Sequence, residues 1–151
     1  MKVHLPTPDT RTRVIRNRTE CFDPVRKKYV VMTAEETVRQ SWIQYLVEDM
    51  QYPMVFFMVE KKVEVNGRVR RLDLGVCNKD GKPVILFECK EPDVPVSQEV
   101  AEQLARYNFP LQARYLVMSN GIHHFAFECD WENKTTKQIK ELPTWRKLQE
   151  F

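Results

Sequence analysis

The sequence predicts an α/β fold, a central mixed β-sheet flanked by helices, and three observations predict it. Asn66-Gly67 separates strand-like runs at 59–65 and 68–77, and Asn-Gly supplies the two positive-φ positions of a tight hairpin turn. The run from Val84 to Phe87 is apolar on both faces, as in a strand covered from both sides. Helical patterns at 34–50 and 98–109 bracket these strands, so helices and strands interleave along the chain.

At 151 residues the chain is one domain by length, with 42% apolar and 30% charged residues, ordinary for a globular protein. No apolar run reaches the length of a membrane span, and the first residues lack the apolar stretch of a leader, so a cytoplasmic protein without membrane association is expected. Cys21, Cys77, Cys89 and Cys129 lack C-x-x-C spacing and are expected to be buried thiols of a reducing compartment.

Taken in order, residues 1–21 form an extended basic arm with a short strand near 12–16. Residues 1–28 hold eight Lys/Arg against three acidic residues. Such an arm can follow a phosphate backbone or simply pack across the domain. The core, 22–130, continues with a brief strand at 29–31 and a helix capped by Thr33 and Glu36. Val38, Trp42, Tyr45 and Leu46 trace its apolar stripe. Glu36 has two jobs open to it: reaching back to the Thr33 amide, or pointing over an active edge to hold a metal. Arg39 and Gln40 can touch DNA or the domain's own carboxylates. Met54 to Met58 extends the next strand or packs as a separate segment.

Counting back from the Asn66-Gly67 turn puts Glu60 opposite Asp73. Like charges so placed are destabilising unless something offsets them, and a bound cation would. Glu60 can instead pair with Arg71 or Lys62, and Arg71 can meet a phosphate or a carboxylate. Glu88 and Lys90 share a face of the strand at 84–90. Asp73 and Glu88 on neighbouring strands suit Mg2+, with Mn2+ as a substitute, and the Cys89 carbonyl can add a third oxygen. After a proline-rich loop, Ser97 caps the helix at 98–109, on which Val100, Gln103, Leu104 and Tyr107 line one side. Strands at 114–119 and 122–129 follow. His123 and His124 face opposite ways on a strand and read as structural or surface residues. The tail, 131–151, carries a turn of helix near 137–141 and an amphipathic end at Trp145, Leu148 and Phe151, which docks on the domain or on a second copy to form a homodimer.

Asp73 followed by Glu88-Cys89-Lys90 resembles the Asp…Glu-x-Lys signature of the restriction-endonuclease-like nucleases. Arg26–Val30, Thr33–Gln40, Arg70–Leu74, Glu88–Pro92, Gln103–Asn108 and Met118–Gly121 resemble, in order, the N-terminal nuclease domain of type I restriction enzyme R subunits. The resemblance covers about residues 22–129. It implies a restriction-endonuclease-like core and Mg2+-dependent hydrolysis of DNA. It assigns catalytic roles to Asp73, Glu88 and Lys90, with Glu36, Gln103 and Tyr107 completing the site. The chain departs from full R subunits in lacking a Gly-x-x-x-x-Gly-Lys-Ser/Thr loop. A motor or specificity subunit is then an expected partner beside DNA. The alternative is a non-catalytic nucleic-acid-binding module or assembly subunit on the same fold.

Overall fold

Two clusters of apolar side chains lie on opposite faces of one sheet, because consecutive residues of its inner strands divide between them. Phe87, Val117 and Ala126 belong to the first cluster, and their neighbours Leu86, Leu116 and Phe127 to the second. The computed structural model describes residues 1–107 and 111–151, excluding the side chains of Val65, Arg106 and Tyr107. The sheet has the order β4 (Phe57–Val65), β5 (Arg68–Cys77), β6 (Pro83–Cys89), β7 (Tyr115–Ser119), β8 (His124–Asp130), β9 (Thr135–Ile139). The β6–β7 pair is parallel and the others are antiparallel. A parallel neighbour requires a crossover, and α2 (Gln98–Tyr107) supplies it. The sheet is therefore mixed, with α1 (Ala34–Glu48) on the first cluster and α2 on the second.

On α1, Val38, Trp42, Ile43 and Leu46 are buried, so the apolar stripe includes Ile43. Trp42 is fully buried and packs its ring 5.1 Å from that of Phe87. Burial of a ring this size contributes about 3–5 kcal/mol. The buried face of α2 is Ala101, Leu104 and Ala105. Val100 is 42% exposed and Gln103 is exposed, which corrects the expected inward face by about one residue. The two alanines let the helix backbone approach the sheet, which larger side chains would prevent. The expected last turn, beyond residue 107, lies outside the described residues.

Before α1, β1 (Thr12–Ile15), β2 (Arg18–Asp23) and β3 (Lys28–Val31) form a separate antiparallel sheet. The boundary expected at residue 21 falls inside β2, and the second half of the basic arm is a hairpin, not an extended leader. Its turn residues Arg16 and Asn17 have φ of 50° and 60°. Ahead of it, Met1, Val3 and Leu5 pack against the first cluster. Met54–Phe56 makes one 3-10 turn before β4. At the other end, residues 135–139 are β9 paired with β8, where a turn of helix was expected; β8 leaves an open edge, and backbone pairing outweighs weak local preference. Trp145 and Leu148 on α3 (Trp145–Leu148), with Phe151, pack on the first cluster, so the amphipathic end docks on its own domain. The four cysteines are free and buried, as expected. No helix among the described residues is long and apolar enough to cross a membrane.

His124 is buried at 5% exposure, with Nδ1 2.7 Å from Ser119 Oγ and its ring edge-on to Trp42, whereas His123 is exposed. Burial pushes the imidazole pKa down to about 4. The folded state thus holds fewer protons than the unfolded chain between that value and an ordinary histidine pKa of about 6.5. Stability from this site is present above pH 6.5 and is lost as pH falls toward 4, by roughly 3 kcal/mol. Urea unfolding of wild type and His124→Gln should show the wild type declining more steeply over that window. Parallel curves would separate the histidine from acid sensitivity.

Candidate active site

The site forms where β5 stops following β6. Their register runs through Leu74↔Phe87, which puts Asp73 beside Glu88, but the ladder ends there. Asp73 Oδ2 accepts the Cys89 N–H at 2.9 Å instead, so the carboxylate satisfies an amide that the ladder leaves open. Asp73 and Glu88 line one cavity of about 330 Å³, together with Arg70, Arg71, Leu72 and Leu104. Lys90 lies one residue past β6, anchored by its N–H to the Ser119 carbonyl at 2.8 Å. Its Nζ is 3.0 Å from Glu88 Oε1.

The electrostatics follow from this crowding. Burial, then the charge of Asp73, raises the Glu88 carboxyl above the usual carboxylate range, against the opposing pull of Lys90. The hydrogen bond to Glu88 raises the Lys90 ammonium in turn. Two carboxylates therefore face a common space that Arg70 and Arg71 also line, with Lys90 held against Glu88 beside it.

Glu60 has a different environment. The register on both sides of it is the one the Asn66-Gly67 turn predicts, but the Glu60–Asp73 pair is missing from the ladder and Glu60 has φ of 52°. Its carboxylate is bonded by Arg71, lies 3.1 Å from Arg26 and 3.6 Å from Arg39. Burial raises the Glu60 pKa, and the Arg71 hydrogen bond with the nearby arginine charges more than reverses this, leaving it below the usual range. Arg39 also lies 3.7 Å from Asp73. The cation that offsets the Glu60–Asp73 repulsion here is thus a guanidinium.

Glu36 makes half of its cap. Its N–H donates to Thr33 Oγ1 at 3.0 Å, but its carboxylate turns away from the Thr33 amide to accept from Arg39, Arg26 at 2.6 Å and Gln40 at 2.9 Å. It is 6% exposed and stands behind Arg39, one step removed from Asp73. Gln103 is on the exposed side of α2, while its neighbour Leu104 lines the cavity. The Tyr107 side chain lies outside the described residues. Arg26 joins Asp23, Glu36 and Glu60, a role that neither its place among the basic residues of 1–28 nor the Arg26–Val30 motif indicates. Only the fold brings it to those acids. Arg39 carried a local signal, since it is three and four residues from Glu36 and Glu35 on one helix.

Among the described residues, no group of three or more His, Cys, Asp or Glu could by itself hold a metal ion. Mg2+ is commonly held by one or two carboxylates while keeping several waters. Asp73 and Glu88, two carboxylates on neighbouring strands lining one cavity, match that donor number.

A family model described as type I restriction enzyme R protein N terminus (HSDR_N) matches residues 34–143. The fold is similar to a solved fragment assigned to an HsdR subunit of a type I restriction enzyme from Vibrio vulnificus YJ016, with a TM-score of 0.51 at 18% identity. That match covers 77% of this chain and 24% of the other. No curated protein matches the chain.

Proposed function

The chain belongs to the family of type I restriction enzyme R protein N-termini, and from that premise we propose that it is a Mg2+-dependent DNA endonuclease that hydrolyses phosphodiester bonds. The observation that carries this reading is the meeting of Asp73 and Glu88 in one cavity, with Lys90 3.0 Å from Glu88. Asp73 and Glu88 would hold the ion, with the Cys89 carbonyl as a further oxygen; Mn2+ can substitute. When bound, the ion supplies Lewis acidity toward water and toward a phosphate oxygen.

The chain's own residues do the rest. The Cys89 amide fixes the Asp73 carboxylate, and Arg39 backs it from the other side. Lys90, 3.0 Å from Glu88, would orient or help deprotonate the attacking water, or neutralise charge building on the phosphate. Glu36 acts at one remove, by holding Arg39. Glu60, ringed by arginines, is a counter-charge for them and not a ligand. Exposed Gln103 would meet DNA beyond the cavity, and Tyr107 would complete the family motif. Translocation and target choice would fall to a motor or specificity subunit.

The test is incubation of supercoiled plasmid with the protein in Mg2+, Mn2+ or EDTA. Nicking or linearisation is expected with either metal and not with EDTA. Folded protein that binds the plasmid but leaves it intact in both metals would make the chain a non-catalytic binding module.

A further inference from the structure

Past Asp73 the sheet gives way to a ribbon. β5 pairs with β6 only from Leu74 to Cys77, yet its pairing with β4 continues from Lys61↔Leu72 to Val65↔Arg68. Residues 61–72 are therefore a two-stranded hairpin that outruns β6, and Glu60 and Asp73 form its base. Five residue pairs extend about 17 Å, close to half a turn of duplex DNA.

The ribbon carries Lys61, Lys62, Arg68, Arg70 and Arg71 against the single acid Glu64. Lys61, Lys62, Arg68 and Arg71 are exposed. Arg71 ties the base to Glu60, whereas Lys61, Lys62 and Arg68 form no ion pair among the described residues. The basic N-terminal segment differs. Arg26 is engaged by Asp23, Glu36 and Glu60, and Arg13 by Glu20 and the Tyr29 ring. Both basic segments are thus partly neutralised by the fold; in the ribbon Lys61, Lys62 and Arg68 keep exposed charges on the strand pair that leads to Asp73.

We propose that this ribbon is a DNA-binding arm that lies along the phosphates flanking the bond presented to Asp73 and Glu88. Its contacts are charge contacts to the backbone, so they are salt-sensitive and indifferent to sequence. The placement beside the scissile bond rests on the nuclease reading; the phosphate binding itself does not.

The experiment measures binding of a short fluorescent DNA duplex by anisotropy, in EDTA, over a range of salt concentrations. It compares wild type with a Lys61→Gln, Lys62→Gln, Arg68→Gln triple variant. A second triple variant, Lys134→Gln, Lys137→Gln, Lys140→Gln, makes the same change in net charge at the opposite, β9 edge of the sheet. All six positions are exposed, and circular dichroism confirms folding. The ribbon variant should bind at least about tenfold more weakly, and its slope of log affinity against log salt should flatten by about 2 to 3 units, near 0.9 per lost phosphate contact. The β9 variant should match wild type. Equal loss in both variants, or no change in the ribbon variant, would overturn the arm. If wild type cleaves plasmid while the ribbon variant binds normally, the arm fails and the nuclease reading stands. Selective loss of binding without cleavage by wild type supports the arm and removes the nuclease.

Discussion

An Asp73→Asn protein is expected to fold like wild type and to cleave DNA more slowly by about a thousandfold or more. Asparagine keeps an oxygen where Asp73 Oδ2 accepts the Cys89 N–H, so the local backbone retains its partner. What disappears is one of the two negative charges facing the cavity. Charge stabilisation by a bound metal is worth several kcal/mol, and each 1.36 kcal/mol is a factor of ten in rate, hence about three decades or more. The same substitution removes the charge that helps to raise the Glu88 carboxyl. Plasmid cleavage together with Mn2+ titration would check both consequences: rate and metal affinity should fall together while the urea midpoint stays within about 1 kcal/mol of wild type. Cleavage at wild-type rate by the Asp73→Asn protein would take Asp73 out of the chemistry, whatever the fate of Glu88.

The largest effect on stability is expected from Arg39→Met, about 3–5 kcal/mol, a substantial share of the 5–15 kcal/mol that holds a typical domain folded. Arg39 has 3% of its side chain exposed, is bonded to Glu36, and lies 3.5 Å from Glu35, 3.6 Å from Glu60 and 3.7 Å from Asp73. Methionine of similar length fills the space but leaves those carboxylates facing one another, with Arg26 the remaining counter-charge for buried Glu36. Removing one partner of a buried charge network leaves the other uncompensated, which is more damaging than replacing both. Chemical unfolding of wild type, Arg39→Met and an Arg39→Met, Glu60→Gln double variant is the check. The double variant should recover part of the loss, since one of the stranded charges is gone. An Arg39→Met protein within about 1 kcal/mol of wild type would mean that water, and not the guanidinium, compensates these acids.

Much of the site could be read from local pattern. The Asn66-Gly67 turn set the β4–β5 register, and the two-residue period of a strand put Glu88 and Lys90 together. Those are short-range consequences of turn geometry and pleat, and they carry through. Local reading failed where a side chain had two comparable partners. Glu36 was within reach of its own cap and chose three donors of the packed interior. Residues 135–139 lack a strong pattern and became β9 because β8 offered an unpaired edge. The α2 face differed by about one residue because two alanines, weak in any periodic count, allow the closest approach to the sheet.

By itself, then, the order of residues determined the family, the mixed α/β architecture, the main hairpin and the closeness of Asp73, Glu88 and Lys90, because each depends on neighbours a few positions apart or on a motif. Tertiary structure decided which distant acids the inward positive charges reach. Arg26 and Arg39 join acids from β2, α1, β4 and β5, while Lys61, Lys62 and Arg68 remain exposed on the ribbon. The physical reason is that a charge is compensated through space, over a few ångströms, and folding brings to that range groups that the chain keeps tens of residues apart.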